Sequence, residues 1–175
     1  MANGILKVGE ITTSSGSGNI TIGSGVTLKS NVPAFEAYLS SNQTISHNTA
    51  TKVQFDIENS DTDNTYDNST NYRFTPGVAG TYYIYSGINL INASNELQKA
   101  RAIIYKNGSE YRRVDNDGGS SGTEETMNET VSAIMTLTAT DFIEIYTLIF
   151  QDSGTTNVTG ASYQASYFGA YRIGA

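Results

Sequence analysis

The sequence predicts an all-β fold: a sandwich, barrel or jelly roll of many short antiparallel strands. Three observations point that way. Runs of branched and aromatic residues recur along the chain, bounded by Gly, Asn, Asp, Ser and Thr clusters that read as turns. The 175 residues include 12 Tyr and 6 Phe but only 2 Pro. The one segment with a helical look, "NASNELQKARAI" at 92–103, fits a loop entering a strand better. A chain of this length suits one main domain that buries roughly 70% of the surface its unfolded form exposes.

Residues 1–31 differ from the rest. "ITTSSGSGNITIGSGVTLKSN" is a low-complexity run of Gly, Ser and Thr punctuated by Ile11, Ile20, Ile22, Val26 and Leu28. Ile20/Ile22 and Val26/Leu28 alternate as strands do and flank a Gly-Ser-Gly turn, which predicts a small hairpin, marginal by itself in water. Each of these apolar side chains contributes about 1.5–3 kcal/mol on full burial, against about 1–2 kcal/mol of backbone entropy for every residue ordered. The segment is therefore either a flexible tail or an attachment arm that orders on a partner surface, with those five residues as its contacts.

From residue 32 onward the strands come quickly. They are predicted at 33–39, 52–58, 71–75, 80–92, 99–106, 109–114, 130–138, 141–151 and 162–173, with loops at "ENSDTDNTYDNST", "DNDGGSSGTEE" and "QDSGTTNVTG". Period two then sorts the faces. In 80–92, Tyr82, Ile84, Ser86, Ile88 and Leu90 point one way and Tyr83, Tyr85, Gly87, Asn89 and Ile91 the other. In 141–151, Ile143, Ile145, Thr147 and Ile149 oppose Phe142, Glu144, Tyr146, Leu148 and Phe150. In the last strand Tyr163, Tyr167, Tyr171 and Ile173 share a face. An antiparallel sheet usually offers one side to water, so a second apolar, Tyr-rich face predicts burial against another subunit. Tyr83, Tyr85, Tyr146, Phe150, Tyr167 and Tyr171 are the candidate interface residues. The competing reading places the tyrosines in one large core.

Charge and composition exclude several classes. A formal charge of −7 with only 10 Lys and Arg, scattered along the chain, opposes a nucleic-acid partner. The absence of Cys removes disulfides, thiol catalysis and thiolate zinc. "MANGILKVGE" lacks the apolar core of a secretory signal, and nothing approaches the roughly 20 consecutive apolar residues of a membrane span. The compartment stays open and membrane insertion is not expected; a role outside the cell would need a route other than a classical signal, for example a particle released by lysis.

The segment "KVQFDIEN…TYDNSTNYRFTPGVAGTYYIYSG" resembles the signature of the globular heads of complement component 1q, within the tumour necrosis factor-like superfamily. Val53, Phe55, Asn59, Tyr66, Asp67, Phe74, Pro76, Gly80, Tyr82 and Tyr83 occupy its places. "YKNGSEY" is similar to the family's Lys-Asn-Gly hairpin (Lys106, Asn107, Gly108), "MTLTATDFIEI" to its Leu-x-x-Gly-Asp-x-Val segment and "YFGAYRI" to its closing strand. Thr140 stands where the family usually has Gly, and Gly169 sits one place early. The resemblance covers about residues 33–173 and implies an antiparallel jelly-roll sandwich of about ten strands, assembled as a homotrimer. The N-terminal "GILKVGEITTSSGSGNITIGSG" resembles the start of virion structural proteins of marine phages of cyanobacteria. Together these imply a virion protein, a trimeric jelly roll displayed as a head decoration, head fibre or tail appendage. Its arm, residues 1–31, would hold other virion proteins, and its loops are candidates to touch a host-surface glycan or protein. The alternative is a free binding module for a glycan or protein ligand.

No motif predicts catalysis. His47, the single histidine, lies in a polar loop, and "SGSG" lacks the Lys and the following helix that phosphate binding needs. Asp61, Asp63 and Asp67, and Asp115 and Asp117, raise calcium, but neither run has the EF-hand spacing. The resemblance allows calcium and places none, so no metal ligand, cofactor or catalytic residue is assigned.

Overall fold

The computed structural model describes Ser24 and residues 32–119, 124–160 and 163–174. The chain divides between Asn31 and Val32, and the fold below is that of the second unit. The hairpin expected over Ile20–Leu28, and the attachment candidates Ile11, Ile20, Ile22, Val26 and Leu28, lie outside the described residues.

The described chain is all strand and turn. In order come β1 (Ala34–Tyr38), β2 (Gln43–Ile45), β3 (Thr51–Lys52), β4 (Ile57–Asp61), β5 (Tyr66–Asp67), β6 (Arg73–Phe74), β7 (Gly80–Asn92), β8 (Leu97–Lys106), β9 (Ser109–Asp117), β10 (Thr126–Leu137), β11 (Ile143–Gln151), β12 (Thr156–Val158) and β13 (Tyr167–Gly174). They form two antiparallel sheets. The first has the order β2-β12-β7-β13-β1-β4, with β10 also paired to β7; the second has β5-β6-β11-β8-β9, with β3 paired to β11. Long strand β7 organises the first sheet: β13 and β12 pair end to end along it, and β10 pairs with it from Gly80 to Ile91.

The core lies between the sheets, and the period-two reading identifies it. Tyr82, Ile84, Ser86, Ile88 and Leu90 of β7 face Ile143, Ile145, Thr147 and Ile149 of β11, and all nine are buried. Phe35 is the centre of an aromatic group, stacked on Tyr66 at 4.6 Å and Phe74 at 4.9 Å and edge-on to Phe168 at 4.8 Å. The Tyr66 hydroxyl donates to the Phe55 carbonyl at 3.0 Å, so its burial strands no polar atom.

Where strands and sequence differ, the sheet pairing explains why. The single strand expected at 52–58 is two: β3 belongs to the second sheet and β4 to the first. Between them Val53 and Phe55 are fully buried as the chain crosses the sandwich, so their alternation marks a crossing instead of a ladder. The expected loop 58–70 contains most of β4, whose polar, exposed sequence suits an edge strand. Strand 162–173 begins only at Tyr167, because Tyr163 and Gln164 have φ of 54° and 52°, the left-handed region. Strand 109–114 runs on to Asp117, where Lys99–Asp117 and Arg101–Asp115 ion pairs at 2.7 and 2.6 Å join it to β8.

Glu129 of β10 is a carboxylate inside the sandwich. It is 3% exposed, and its Oε1 has no hydrogen-bond partner. Burial raises its pKa; a bond with Asn116 opposes the rise and the Asp115 charge adds to it. The folded state thus holds this proton more tightly than the unfolded chain. The group's contribution to stability is greatest below the unfolded value of about 4.3 and is lost as pH rises through the folded pKa. An unsatisfied buried acceptor costs about 1–3 kcal/mol. Glu129→Gln should therefore raise the melting temperature at pH 7 by about 2–4 °C for each kcal/mol relieved, and by less at pH 4. Equal shifts at the two pH values in thermal melts would contradict this.

Candidate functional site: the tyrosine face of the first sheet

The outer face of the first sheet is built in rows by the register of its strands. One row runs Ile134, Tyr83, Tyr171, Ala34 across β10, β7, β13 and β1. The next runs Ser132, Tyr85, Gly169, Glu36, and the third Thr130, Gly87, Tyr167, Tyr38. Each of the latter two rows sets one tyrosine beside one glycine, and the ring lies over the glycine. A Cβ on Gly87 would stand 2.6 Å from Tyr167 Cε1, and one on Gly169 would run into the Tyr85 ring. Tyr83 stacks on Tyr85 at 5.8 Å and meets Tyr171 at 5.5 Å, while Tyr85 meets Tyr167 at 6.2 Å.

One charge sits in this face. Glu36 accepts from the Tyr85 hydroxyl at 2.9 Å and from Asn59 Nδ2 at 3.1 Å. Asn59 fills a bulge where the β1–β4 register shifts, and it exchanges two amide bonds with Gln164 at 2.8 and 3.1 Å. Burial under its neighbours, then the bond to Glu36 and that residue's charge, hold the Tyr85 hydroxyl well above the ordinary tyrosine range. The carboxylate and its donors thus hold the Tyr85 ring in place.

Four of the six interface candidates come together here: Tyr83, Tyr85, Tyr167 and Tyr171. Tyr146 and Phe150 do not, because β11 belongs to the other sheet. Their surroundings differ in kind. Tyr146 packs, tilted, against Tyr105 at 4.1 Å, and Phe150 lies under Lys99 and Arg101, each 5.7 Å from its ring centre. Buried Glu144 is held by Lys52 at 2.7 Å and Arg73 at 3.0 Å. Cations and carboxylates of the same chain therefore cover the second sheet's outer face. On the first sheet Ile134 remains 60% exposed and Tyr171 43% exposed, with no such cover. Sequence reasoning missed Glu36 and Ile134 and held Asn59 only as a signature position, since alternation assigns a face and cannot assign strand neighbours.

The loop carboxylates are engaged by their own backbone. Asp61 accepts from Tyr66 N at 2.8 Å and Thr65 Oγ1 at 3.0 Å. Asp67 accepts from Thr70 N at 2.9 Å and Asn71 Nδ2 at 2.7 Å, and the Thr70 bond leads the set that lowers its pKa to about 2. Beside them is an open depression of about 520 Å³ lined by Glu58, Asn64, Asp67, Asn68, Ser69 and Arg73. His47 accepts from Gln151 N through Nδ1 at 3.2 Å and lies edge-on to Phe150.

The glycines under the rings give a direct check. Gly169→Ala or Gly87→Ala should push a tyrosine off the sheet and cost about 1–3 kcal/mol, as overpacking does. Chemical denaturation measures this, and a stability unchanged in both variants would refute the packing described.

No protein-family model matches the sequence, and no curated protein matches it. Solved structures do share the fold. The Eiger TNF of S. frugiperda aligns at 11% identity and TM-score 0.56, covering 81% of this chain and 91% of that one. The globular domain of zebrafish complement 1qA aligns at 14% identity and TM-score 0.58, covering 81% and 97%. Murine APRIL at pH 5.0 aligns at 10% identity and TM-score 0.59, covering 82% and 100%. The chain from Val32 onward is thus an all-β jelly-roll sandwich with the fold of the tumour necrosis factor and complement 1q domains.

Proposed function

We propose that the tyrosine face is a self-association surface and that the protein is a homotrimeric, non-enzymatic binding module. The observation that carries this is the contrast between the two outer faces: one closed by ion pairs of its own chain, the other an uncovered tract of Tyr83, Tyr85, Tyr167, Tyr171 and Ile134. Tyr suits an interface because its ring is apolar while its hydroxyl keeps a partner. A ring of subunits needs a second patch to receive the first. The outer strand β9 supplies exposed apolar groups, Tyr111 and Val114. The complement 1q-like signature in the sequence favours three subunits over other ring sizes.

The place of this module is a virion, as a head decoration, head fibre or tail appendage. The likeness of residues 1–31 to phage virion proteins supports that reading. Three arms in one assembly would raise attachment through effective concentration, so weak single contacts suffice. The loops are then free for a host-surface glycan or protein.

Light scattering on the purified protein should give about three times 18.8 kDa. Tyr83→Glu and Tyr171→Glu should reduce this to the monomer mass, whereas Phe150→Glu, beside Lys99 and Arg101, should leave it unchanged. A wild-type monomer at micromolar concentration would refute the assembly. A chain beginning at Val32 should stay folded and trimeric but fail to bind particles that lack the protein. Equal binding by the shortened and full chains would move attachment to the jelly roll and leave the arm a tail.

A further inference from the structure

The β8–β9 hairpin turns on Asn107 and Gly108, with φ of 53° and 78°, a two-residue turn of the type that favours Asn-Gly. The Asn107 side chain also ties this tip to the turn between β10 and β11. Its Nδ2 donates to Asp141 Oδ1 at 2.7 Å, and its Oδ1 accepts from Phe142 N at 2.9 Å. Its backbone N donates to the Phe142 carbonyl, also at 2.9 Å. Asp141 is held in turn by Thr138 N at 2.8 Å and Lys106 Nζ at 3.1 Å. Both ends of the carboxamide are therefore fixed. Nothing stands within 4 Å of a Cβ placed on Gly108, so the backbone at the turn is open.

Asn followed by Gly is the dipeptide in which the next backbone nitrogen most readily attacks the side-chain carbonyl, because no Cβ hinders it. We propose that Asn107 is a deamidation site that the fold keeps closed, and that hydrolysis there loosens the hairpin from the neighbouring turn. In the reaction the Gly108 nitrogen bonds to Asn107 Cγ, the Cγ–Nδ2 bond breaks, and ammonia leaves with the proton from that nitrogen. Water then opens the cyclic imide to aspartate or isoaspartate. Attack requires the carboxamide to swing toward Gly108, which breaks its bonds to Asp141 and Phe142. The product replaces a donor to Asp141 with a second carboxylate at the same spot. Isoaspartate further adds a backbone atom to a turn that has room for two residues. Asp141 is sensitive to this exchange, since the Asn107 bond leads the interactions that hold its carboxyl far below the usual range.

The test is peptide mass spectrometry of wild-type protein incubated in mildly alkaline buffer, folded and in urea. Reaction through local opening should make deamidation at Asn107 about tenfold or more slower in the folded protein. Equal rates in the two conditions would overturn the protection. Asp141→Ala should speed the folded reaction and leave the urea reaction unchanged; no acceleration in a variant that circular dichroism shows to be folded would overturn the role of Asp141. Asn107→Asp, which reproduces one product, should melt below wild type at pH 7, with a smaller gap at acid pH. A melting temperature equal to wild type at pH 7 would overturn the loosening.

Discussion

The outward face of the first sheet depends on one register, that of β7 against β13. It sets Tyr85 opposite Gly169 and Tyr167 opposite Gly87, so each large ring has a backbone without a side chain to lie on. A slip of one residue would turn the rings inward and bring Phe168 and Ala170 out, exchanging core for surface along the whole strand. The inner face enforces the same register, because Phe168 must reach the group around Phe35. Core packing and the shape of the outer face are therefore fixed by the same pairing. The contacting rings form a continuous aromatic tract, with Glu36 and Asn59 hydrogen-bonded at its edge.

The two sheets treat their aromatic rings differently, and charge explains the difference. On the second sheet, cross-strand pairs such as Arg101–Asp115 and Lys99–Asp117 place cations above Phe150. Ion pairs of this exposed kind contribute little stability, about 0–1 kcal/mol each, but they keep the sheet wet and deter association. The first sheet lacks such guards on its rings. A net charge of −7 makes copies repel one another, so association through this apolar tract has to overcome that repulsion. Burial of that tract against another copy would contribute about 25 cal/mol per Å² of apolar area.

Much of this was legible in the sequence. Alternation in 80–92 and 141–151 separated core from surface residue by residue, since side-chain direction follows from a period of two. It could not say which strands share a sheet, so Tyr146 and Phe150 were grouped with tyrosines that lie on the opposite side of the sandwich. Val53 and Phe55 read as a strand because burial, which the pattern reports, does not distinguish a ladder from a crossing. β2 and β12 are three residues each within polar segments, too short for a period to show. Glu36 carried no signal, since its importance comes from Tyr85 and Asn59, distant in sequence. The Lys106-Asn107-Gly108 turn is legible through its resemblance to the family's hairpin, and its tie to Asp141 only from the fold.

The central claim is that the tyrosine face is covered by another copy of the chain. Hydroxyl-radical footprinting tests it residue by residue, comparing wild type with the Tyr83→Glu variant. The account predicts slow oxidation of Tyr171 and Ile134 in wild type, fast oxidation in the variant, and Tyr163 reactive in both. Tyr171 reacting in wild type as fast as in the variant would contradict it, as would protection centred on Phe150.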